Sequence, residues 1–306
     1  MPSSPSLVEA AASAEATGRV VSGHGRHVVV EAEGGARVLC HTRGKKSECV
    51  VGDLVRWRPS GDEGVVESCL PRRNLLYRQD AWKTKAFAAN IDQMLVVVAA
   101  EPVFSESQLA RALIGAEAAA IPSCIALNKR DLPAFAAAEA RLSPYAAIGI
   151  EIVGLALKND AEGSRQALST LLDGRSTIVL GPSGAGKSTL VNLMVADARA
   201  QVGEISSALN TGRHTTTATH WYWLDESRTS ALIDSPGFQE FGLRQIPADK
   251  LASLMPDIGK HASECRFYNC SHRHEPGCGV LTALEHGEIA ASRYRIYLEI
   301  LDELSS

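Results

Sequence analysis

Long hydrophobic runs are missing from this sequence. No stretch reaches the roughly eighteen consecutive apolar residues that a helix needs to cross a bilayer, so a membrane-spanning segment is not predicted. Residues 1–17 are rich in Ala, Ser, Pro and Glu. They lack the basic segment and apolar core of a secretory signal, and also the arginine-rich, acid-poor pattern of a transit peptide. We interpret residues 1–17 as a disordered tail and expect a cytoplasmic protein with no membrane partner.

A strong charge of either sign is also missing, since the 306 residues carry a formal net charge of −4. The 45% hydrophobic and 22% charged content is that of an ordinary globular protein, and the length suggests two domains or three small ones. The seven cysteines do not pair evenly, and a cytosolic chain keeps thiols reduced. We interpret the scattered Cys40, Cys49, Cys69 and Cys124 as small buried hydrophobes. The other three lie within residues 265–278.

The segment 181–189, GPSGAGKST, is the strongest motif in the chain. It follows the β-branched run 176–180, which predicts a buried strand, and precedes a helix-like run from Leu190. In that context G-x-x-x-x-G-K-[ST] binds phosphate, because backbone N–H groups converge on the phosphate oxygens. Lys187 is expected to reach the β- and γ-phosphates and Ser188 to coordinate Mg²⁺. The alternative is a flexible Gly/Ser turn. The predicted phosphate-binding residues are Gly181, Pro182, Ser183, Gly184, Ala185, Gly186, Lys187, Ser188 and Thr189.

Short β-like runs alternate with turn residues from residue 18 to about residue 78. About five such runs fit a small closed or partly open barrel of the OB type. Residues 36–85 contain eleven Lys or Arg against six Asp or Glu, a local charge of +5 (11 − 6). A basic barrel that carries Trp57 predicts a nucleic-acid platform, because phosphate contacts dominate such binding. The alternative is a solvated surface that is basic by chance. The runs are 19–21, 27–31, 37–40, 53–57 and 64–67.

From about residue 81 strands and helices alternate, which predicts an α/β domain with a mostly parallel sheet. The run 122–127 reads as one of its strands, and Asn128, Lys129, Arg130 and Asp131 (NKRD) follow it directly. Asp131 can accept both N1–H and N2–H of guanine, a donor pair that adenine lacks. Asn128 is expected to bond the other edge of the purine and brace the loop, with the stem of Lys129 over the ring. The alternative for this motif is an ordinary solvated loop.

The run 231–238, ALIDSPGF, predicts a strand that ends in D-x-P-G. Asp234 is expected to hold Mg²⁺ through water, and the Gly237 N–H to sense the γ-phosphate. The polar loop 212–217, GRHTTT, would be ordered by the triphosphate and released after hydrolysis. One of its threonines, for which we take Thr216, is expected to complete the Mg²⁺ shell. The alternative for the threonines is a β-edge stretch.

The order of these motifs is a rotation of the usual GTPase order, with N-K-x-D before G-x-x-x-x-G-K-S and D-S-P-G-F. The chain thereby resembles the circularly permuted GTPases of the RsgA (YjeQ/EngC) family, which act in small-ribosomal-subunit maturation. Further matching segments are 51–53 (VGD), 71–74 (PRRN), 89–92 (ANID), 212–217 (GRHTTT) and the cysteine segment.

The resemblance implies a multidomain α/β protein and GTP hydrolysis that is slow alone and stimulated by the small ribosomal subunit. The expected parts are the tail of residues 1–17, an OB-fold RNA-binding domain at 18–80, a permuted GTPase domain at 81–240 and a helical zinc-binding domain at 241–306.

Two stretches depart from the usual GTPase pattern. The segment 153–159 lacks the serine of the guanine-contacting Ser-Ala loop, so no base contact is predicted there. Phe238 stands where Ras-like enzymes carry the glutamine that orients water, which a phenyl ring cannot do. We therefore consider His214 a candidate catalytic residue, with an ordinary exposed loop histidine as the alternative.

The cysteine segment has the pattern C-x₄-C-x-H-x₅-C, formed by Cys265, Cys270, His272 and Cys278. Three thiolates and one imidazole suit a closed, structural Zn²⁺ site, and the resemblance supports this ligand set. The alternatives are free buried thiols, or His274 in place of His272 as the ligand. A terminal helix is expected to pack beside the site.

These patterns together predict a monomeric, GTP-hydrolysing assembly factor that docks on ribosomal RNA through its barrel and zinc domains. An RNA-binding module that holds GTP only as a structural or regulatory ligand is a second hypothesis. A P-loop ATPase or kinase is a third, and competition by GDP but not ADP separates it from the first two.

Overall fold

Five strands near the N-terminus form a closed barrel in the computed structural model, which describes residues 15–24, 27–42, 49–79, 84–195, 219–235 and 242–305. Strands β1, β2 and β3 pair antiparallel, β3 pairs parallel with β5, β5 pairs with β4, and β4 closes on β1. The five predicted β-runs and the OB-type barrel are confirmed. The bounds are β1 Ala16–His24, β2 His27–Ala32, β3 Arg37–Thr42, β4 Leu54–Ser60 and β5 Glu63–Cys69.

Two expectations for this region were wrong. Trp57 is only 6% exposed and packs in the barrel core with Val30 and Val55, so it cannot offer a stacking face to nucleic acid. The cause is the two-residue period of β4, which turns Val55 and Trp57 inward. The tail was also drawn too long, because Ala16 and Thr17 already pair with β4. Residues 1–14 lie outside the described residues.

A parallel sheet with helices on both faces follows the barrel, as predicted. Its order is β10–β9–β8–β11–β13, and β12 pairs antiparallel with β13. Helices α1 and α2 cover one face, while α3 and α4 cover the other. The strands are β8 Gln93–Ala99, β9 Ser123–Asn128, β10 Glu151–Gly154, β11 Ser176–Leu180, β12 His220–Trp223 and β13 Ala231–Asp234. The helices are α1 Glu106–Ala118, α2 Phe135–Ala147, α3 Ala161–Leu172 and α4 Lys187–Met194. A hairpin of β6 (Leu75–Gln79) and β7 (Thr84–Ala89) lies between the barrel and this sheet.

Strand β12 joins the two parts into one eleven-stranded sheet, because it also pairs with β1 of the barrel. We call this junction the seam. Across it, Ser22 Oγ lies 3.1 Å from His220 Nδ1, and the Arg19 guanidinium lies 4.5 Å from the centre of the Trp221 ring. Trp223 Nε1 donates a 2.6 Å hydrogen bond to the buried carboxylate of Glu31. The barrel is therefore fixed to the core by side chains as well as by backbone pairing.

The C-terminal region is helical and packs on α1 and α2. Its apolar cluster includes Ala110 and Ile114 of α1. Arg293 forms a buried bidentate ion pair with Asp257 (2.8 and 2.9 Å), and its guanidinium lies 4.8 Å from the centre of the Tyr145 ring. The elements are two 3₁₀ turns, Ala248–Lys250 and Ala252–Leu254, followed by α5 Pro256–Ala262, α6 Gly279–Glu285 and α7 Ala291–Ser305. Across the described ranges, no helix has both the length and the apolar character that crossing a membrane requires.

Candidate nucleotide site and metal centre

The loop 181–186 joins β11 to α4 as the sequence predicts, and two of its glycines have no substitute. Gly181 has φ +151°, and a Cβ there would lie 2.1 Å from the carbonyl oxygen of Val97. Gly186 has φ +111°, and a Cβ there would lie 2.3 Å from Asn128 Nδ2. These positions require glycine because both the backbone conformation and the space exclude a side chain. The turn thus brings backbone N–H groups to the N-terminus of α4.

Lys187 and Asp234 form the electrostatic centre of this edge of the sheet. Lys187 opens α4, and its Nζ donates a 2.7 Å hydrogen bond to the carbonyl oxygen of Gly181. Asp234 ends β13, the strand next to β11. Burial lowers the pKa of Lys187 and raises that of Asp234, and each shift is opposed by the charge of the other residue. Each charge therefore helps to keep the other ionised.

Asn128 connects the two predicted nucleotide-binding loops. Its Nδ2 donates a 2.9 Å hydrogen bond to the carbonyl oxygen of Ala185 in the phosphate loop. Its Oδ1 accepts a 3.2 Å hydrogen bond from the backbone N–H of Leu157. Lys129 follows with a left-handed φ of +68°, and its Nζ donates to the carbonyl oxygen of Glu101. The side chain of Asn128 is therefore a brace between loops, as one part of its prediction required.

The segment 155–160, for which the sequence predicted no role, is bound to the NKRD loop throughout. The Arg130 N–H donates to the carbonyl oxygen of Leu155 at 2.8 Å, and Asn159 Nδ2 donates to Asp131 Oδ2 at 2.6 Å. Arg130 and Asp160 form an ion pair at 3.2 Å. The role of this segment was not predicted because the usual serine is missing. Its position directly after β10, at the same sheet edge as Asn128, could have indicated that it contributes to the site.

A cavity of about 520 Å³ opens between these loops. Residues of both predicted nucleotide-binding motifs line this one cavity. Arg130, Gly181, Ala185 and Asp234 were predicted for the site and stand beside it rather than in its lining. His214, Thr216 and Gly237 lie outside the described residues. The lining residues are Asn128, Lys129, Asp131, Leu132, Leu157, Lys158, Asn159, Pro182, Ser183, Gly184, Gly186, Lys187, Ser188 and Thr189.

The four predicted metal ligands of the C-terminal region come together. One ligand atom from each of Cys265, Cys270, His272 and Cys278 lies within 4.8 Å of the others. His272 Nδ1 lies 3.4 Å from the sulfur of Cys265 and 3.5 Å from that of Cys278, and these two sulfurs are 3.8 Å apart. Within the described part of the chain this group contains His272 and not His274. The group can hold a metal ion.

The loop that carries these ligands is tied down by its neighbours. The Glu275 carboxylate accepts backbone hydrogen bonds from Ser271 at 2.8 Å and Arg273 at 2.9 Å. From α7, the Tyr294 hydroxyl donates to the carbonyl oxygen of His272 at 2.7 Å. The left-handed φ of His272, +59°, is held by these contacts. The predicted packing of a terminal helix beside the cluster is thus confirmed.

A second sulfur pair lies in the barrel. Cys49 and Cys69 were interpreted as scattered, but their sulfurs are 3.0 Å apart, close to the carboxylate of Asp53. Both oxygens of Asp53 are already engaged, because Arg72 donates to them at 2.7 and 2.8 Å. Val50 N–H adds a third donor at 2.8 Å. A carboxylate committed in this way is a poor ligand, and we assign the pair to packing.

The site and the order of its parts define a class of protein. A phosphate loop on a parallel sheet that follows its N-K-x-D loop along the chain, rather than preceding it, is the arrangement of a circularly permuted GTPase.

Comparison with known proteins gives the family. Residues 69–244 match the family described as RsgA GTPase. A Variovorax paradoxus (strain S110) protein named small ribosomal subunit biogenesis GTPase RsgA is 58% identical over 293 residues, covering 94% of this chain and 92% of that protein. A Burkholderia pseudomallei (strain K96243) protein of the same name is 51% identical, covering 95% and 93%. The chain therefore belongs to the RsgA GTPase family, a family of GTP hydrolases.

Solved structures agree with this assignment. The crystal structure of YjeQ from Thermotoga maritima matches with a TM-score of 0.74 at 30% identity, over 96% of this chain and 99% of that one. The structure of YloQ, described as a circularly permuted GTPase, matches with a TM-score of 0.69 over 96% of each chain. At 24% identity the YloQ match shows the fold alone.

Proposed function

We propose that this protein hydrolyses GTP on the small ribosomal subunit and assists the late maturation of that subunit. The observation that carries the proposal is the 520 Å³ cavity in which the NKRD loop and the phosphate loop meet. The names of the 58% and 51% identical relatives supply the partner. Hydrolysis is slow in the free protein and is stimulated by the subunit.

Within the cavity, residues 181–189 receive the triphosphate and residues 128–131 receive the guanine. Backbone N–H groups of the loop and the N-terminus of α4 point positive charge at the phosphates. Lys187 exchanges the carbonyl oxygen of Gly181 for the β- and γ-phosphates. Asp131 accepts the two guanine donors, and that pairing selects against adenine.

Mg²⁺ is the cation that this chemistry uses, and Ser188 and Asp234 are the residues that would hold it. Both stand where the phosphate loop meets the end of β13. The ion supplies charge neutralisation for the β- and γ-phosphates. The Gly237 N–H and Thr216 are proposed to complete the contacts to the γ-phosphate and the ion.

The metal of the C-terminal region is proposed to be one structural Zn²⁺. A tetrahedral ion with bonds of about 2.3 Å to sulfur and 2.0 Å to nitrogen separates its sulfurs by about 3.8 Å and sulfur from nitrogen by about 3.5 Å. The separations between Cys265, His272 and Cys278, 3.8, 3.4 and 3.5 Å, fit these values. Burial, as the largest cause, raises the pKa of the Cys270 thiol to about 12, so a cation is needed to keep this sulfur as a thiolate.

The barrel and the zinc region are proposed to dock on ribosomal RNA from a cytoplasmic monomer. The division into an RNA-binding barrel that begins at Ala16 and ends near residue 80, a GTPase domain at 81–240 and a zinc domain at 241–306 belongs to this proposal. The local charge of +5 within residues 36–85 supports contact of the barrel with phosphates.

The test is phosphate release measured while small ribosomal subunits are added. We expect turnover to rise by at least about tenfold, a modest threshold beside the roughly 10³- to 10⁵-fold that partner-supplied groups give other GTPases. Lys187→Ala is the control. Its turnover should not rise when subunits are added, because the variant lacks the side chain proposed to contact the β- and γ-phosphates. GDP should compete for the site and ADP should not. GTP binding with no stimulated release in the wild type would instead favour a module that uses GTP as a ligand only.

A further inference from the structure

The guanine end of the cavity has a feature that the usual GTPase pattern does not predict. The segment 155–160 carries no serine, yet it supplies a direct side-chain partner to Asp131. Asn159 Nδ2 donates a 2.6 Å hydrogen bond to Asp131 Oδ2, and both residues line the cavity. A contact of this length with a carboxylate is a charge-assisted hydrogen bond.

Asp131 needs such a partner because its carboxylate is otherwise free to rotate. The side chain is exposed, and the last torsion of an aspartate has a broad, shallow profile. Acceptance of N1–H and N2–H from guanine requires both oxygens in the plane of the base. A carboxylate offers about four lone-pair positions, so the bond from Asn159 leaves capacity for both guanine donors.

Asn159 is itself held in place by the backbone on either side. Its N–H donates to the carbonyl oxygen of Ala156 at 3.0 Å. The next residue, Asp160, caps α3 by accepting the Gly163 N–H at 3.0 Å and pairs with Arg130 at 3.2 Å. The backbone N–H of Leu157, two residues before Asn159, donates a hydrogen bond to Asn128 Oδ1. The donor amide therefore sits on a segment fixed at both ends.

We propose that Asn159 is a specificity-determining positioning residue, which orients the carboxylate of Asp131 for guanine. The proposal rests on the proposed function of the cavity as the GTP site. It assigns to an asparagine the support that the absent serine cannot give. Asn159 acts through Asp131 rather than on the base itself.

The test compares the affinities of GDP and inosine diphosphate (IDP), whose base lacks the exocyclic amino group. Guanine uses both oxygens of Asp131 and hypoxanthine uses one, so GDP depends more on their orientation. For Asn159→Ala we expect GDP affinity to fall about tenfold and IDP affinity about threefold, which lowers the preference for GDP. Asn159→Asp, of equal size, should weaken GDP binding further, because a second carboxylate then faces Asp131.

A double-mutant cycle shows whether Asn159 acts through Asp131. In an Asp131→Ala background, Asn159→Ala should change GDP affinity by less than about twofold. Arg165→Ala is the control: it removes an exposed ion pair with Glu162 on α3, outside the cavity lining, and it should leave the affinities for GDP and IDP unchanged.

An unchanged GDP-to-IDP preference in Asn159→Ala would overturn the proposal, as would additive effects in the cycle. Failure of the underlying function looks different. A wild-type protein that does not prefer GDP to ADP would remove the GTP site altogether. If the wild type prefers GDP to ADP and the Asn159→Ala variant keeps the wild-type ratio of GDP to IDP affinity, only the role proposed for Asn159 is disproved.

Discussion

Asn128 illustrates, at the scale of one residue, how base and phosphate binding depend on each other. Its amide joins Ala185 of the phosphate loop to Leu157 of the segment beside the base. Loss of this side chain leaves a buried carbonyl and a buried N–H unpaired, and it also removes the purine contact proposed for Asn128. A substitution there therefore disturbs both halves of the site, unlike one at Asp131.

His214→Ala is expected to lower subunit-stimulated GTP hydrolysis and leave GTP affinity nearly unchanged. The reason is that Phe238 cannot hold the attacking water, so another group must orient it, whereas binding depends on residues 128–131 and 181–189. A loss of about 10²-fold is the usual scale for an acid–base or water-orienting group. The measurement is single-turnover hydrolysis at saturating subunit, beside nucleotide affinity. Unaltered stimulated turnover would assign His214 to an ordinary exposed loop.

Some residue roles were accessible from the sequence and others were not. Gly181, Lys187 and Asp131 belong to short motifs in which the residue spacing determines the backbone turn. Their positions in the phosphate loop and the NKRD loop could therefore be predicted. Asn159 could not be found that way, because its partner lies 28 residues away and the contact exists only in the folded chain. Trp57 was misjudged although the alternation of β4 carried the signal, since composition was given more weight than strand period.

At the scale of elements, the C-terminal region combines two kinds of support. The loop around residues 265–278 is held by the cysteine–histidine cluster, whereas α5 and α7 share an apolar cluster and the buried pair of Arg293 and Asp257. The helices of this region therefore have an apolar core that does not include the whole ligand loop. We therefore expect the loop to depend on the proposed metal far more than the helices do.

Chelation of zinc should accordingly increase hydrogen exchange most in residues 263–278. Nucleotide affinity should change little, because no lining residue of the cavity lies in that range. Cys278→Ser should reproduce the effect and lower bound zinc from one ion per chain, while Cys49→Ser serves as a control outside the cluster. Equal loosening of the cavity loops and the zinc loop would contradict this separation.

The sequence predicted those strands whose residues are uniformly apolar or alternate between apolar and polar. Strand β12, with the sequence HWYW, was not predicted, since four residues give too short a period to read. Its other neighbour in the sheet, β1, is distant in the chain, since Ser22 and His220 are 198 residues apart, so no local pattern could indicate that the barrel and the core share one sheet.

At the scale of the whole molecule, the seam should make the barrel and the core unfold together. Glu31 is 6% exposed and accepts from Trp223 at 2.6 Å and Arg37 at 3.0 Å, while Arg228 lies 3.5 Å away. Glu31→Gln should lower the free energy of unfolding by about 2 kcal/mol, because it removes a buried charge from several donors. The free energy of unfolding is measured by denaturant titration, with tryptophan fluorescence and loss of nucleotide binding as the two probes.

Glu33→Gln is the matched control, because Glu33 lies two residues after Glu31, in the turn between β2 and β3. Glu33 is exposed and accepts a 2.8 Å hydrogen bond from the Thr17 hydroxyl, so removing its charge should cost less than about 0.5 kcal/mol. The two probes should report a single transition in all three proteins. Separate transitions for fluorescence and nucleotide binding would show that the seam does not couple the two parts.

The seam also has a consequence for synthesis of the chain. Ser22 and His220 are 198 residues apart, so at about 5–20 residues per second β12 emerges about 10–40 s after β1. The barrel can close on β4 in that time, and the backbone of Val20 bonds to Gly52 and Asp53, but the edge of β1 from Val21 onward must wait for β12. A bulge between Val20 and Ser22, in the pairing of β1 with β2, distorts this part of the strand. Such a bulge makes the waiting strand a poor template for pairing with another nascent chain.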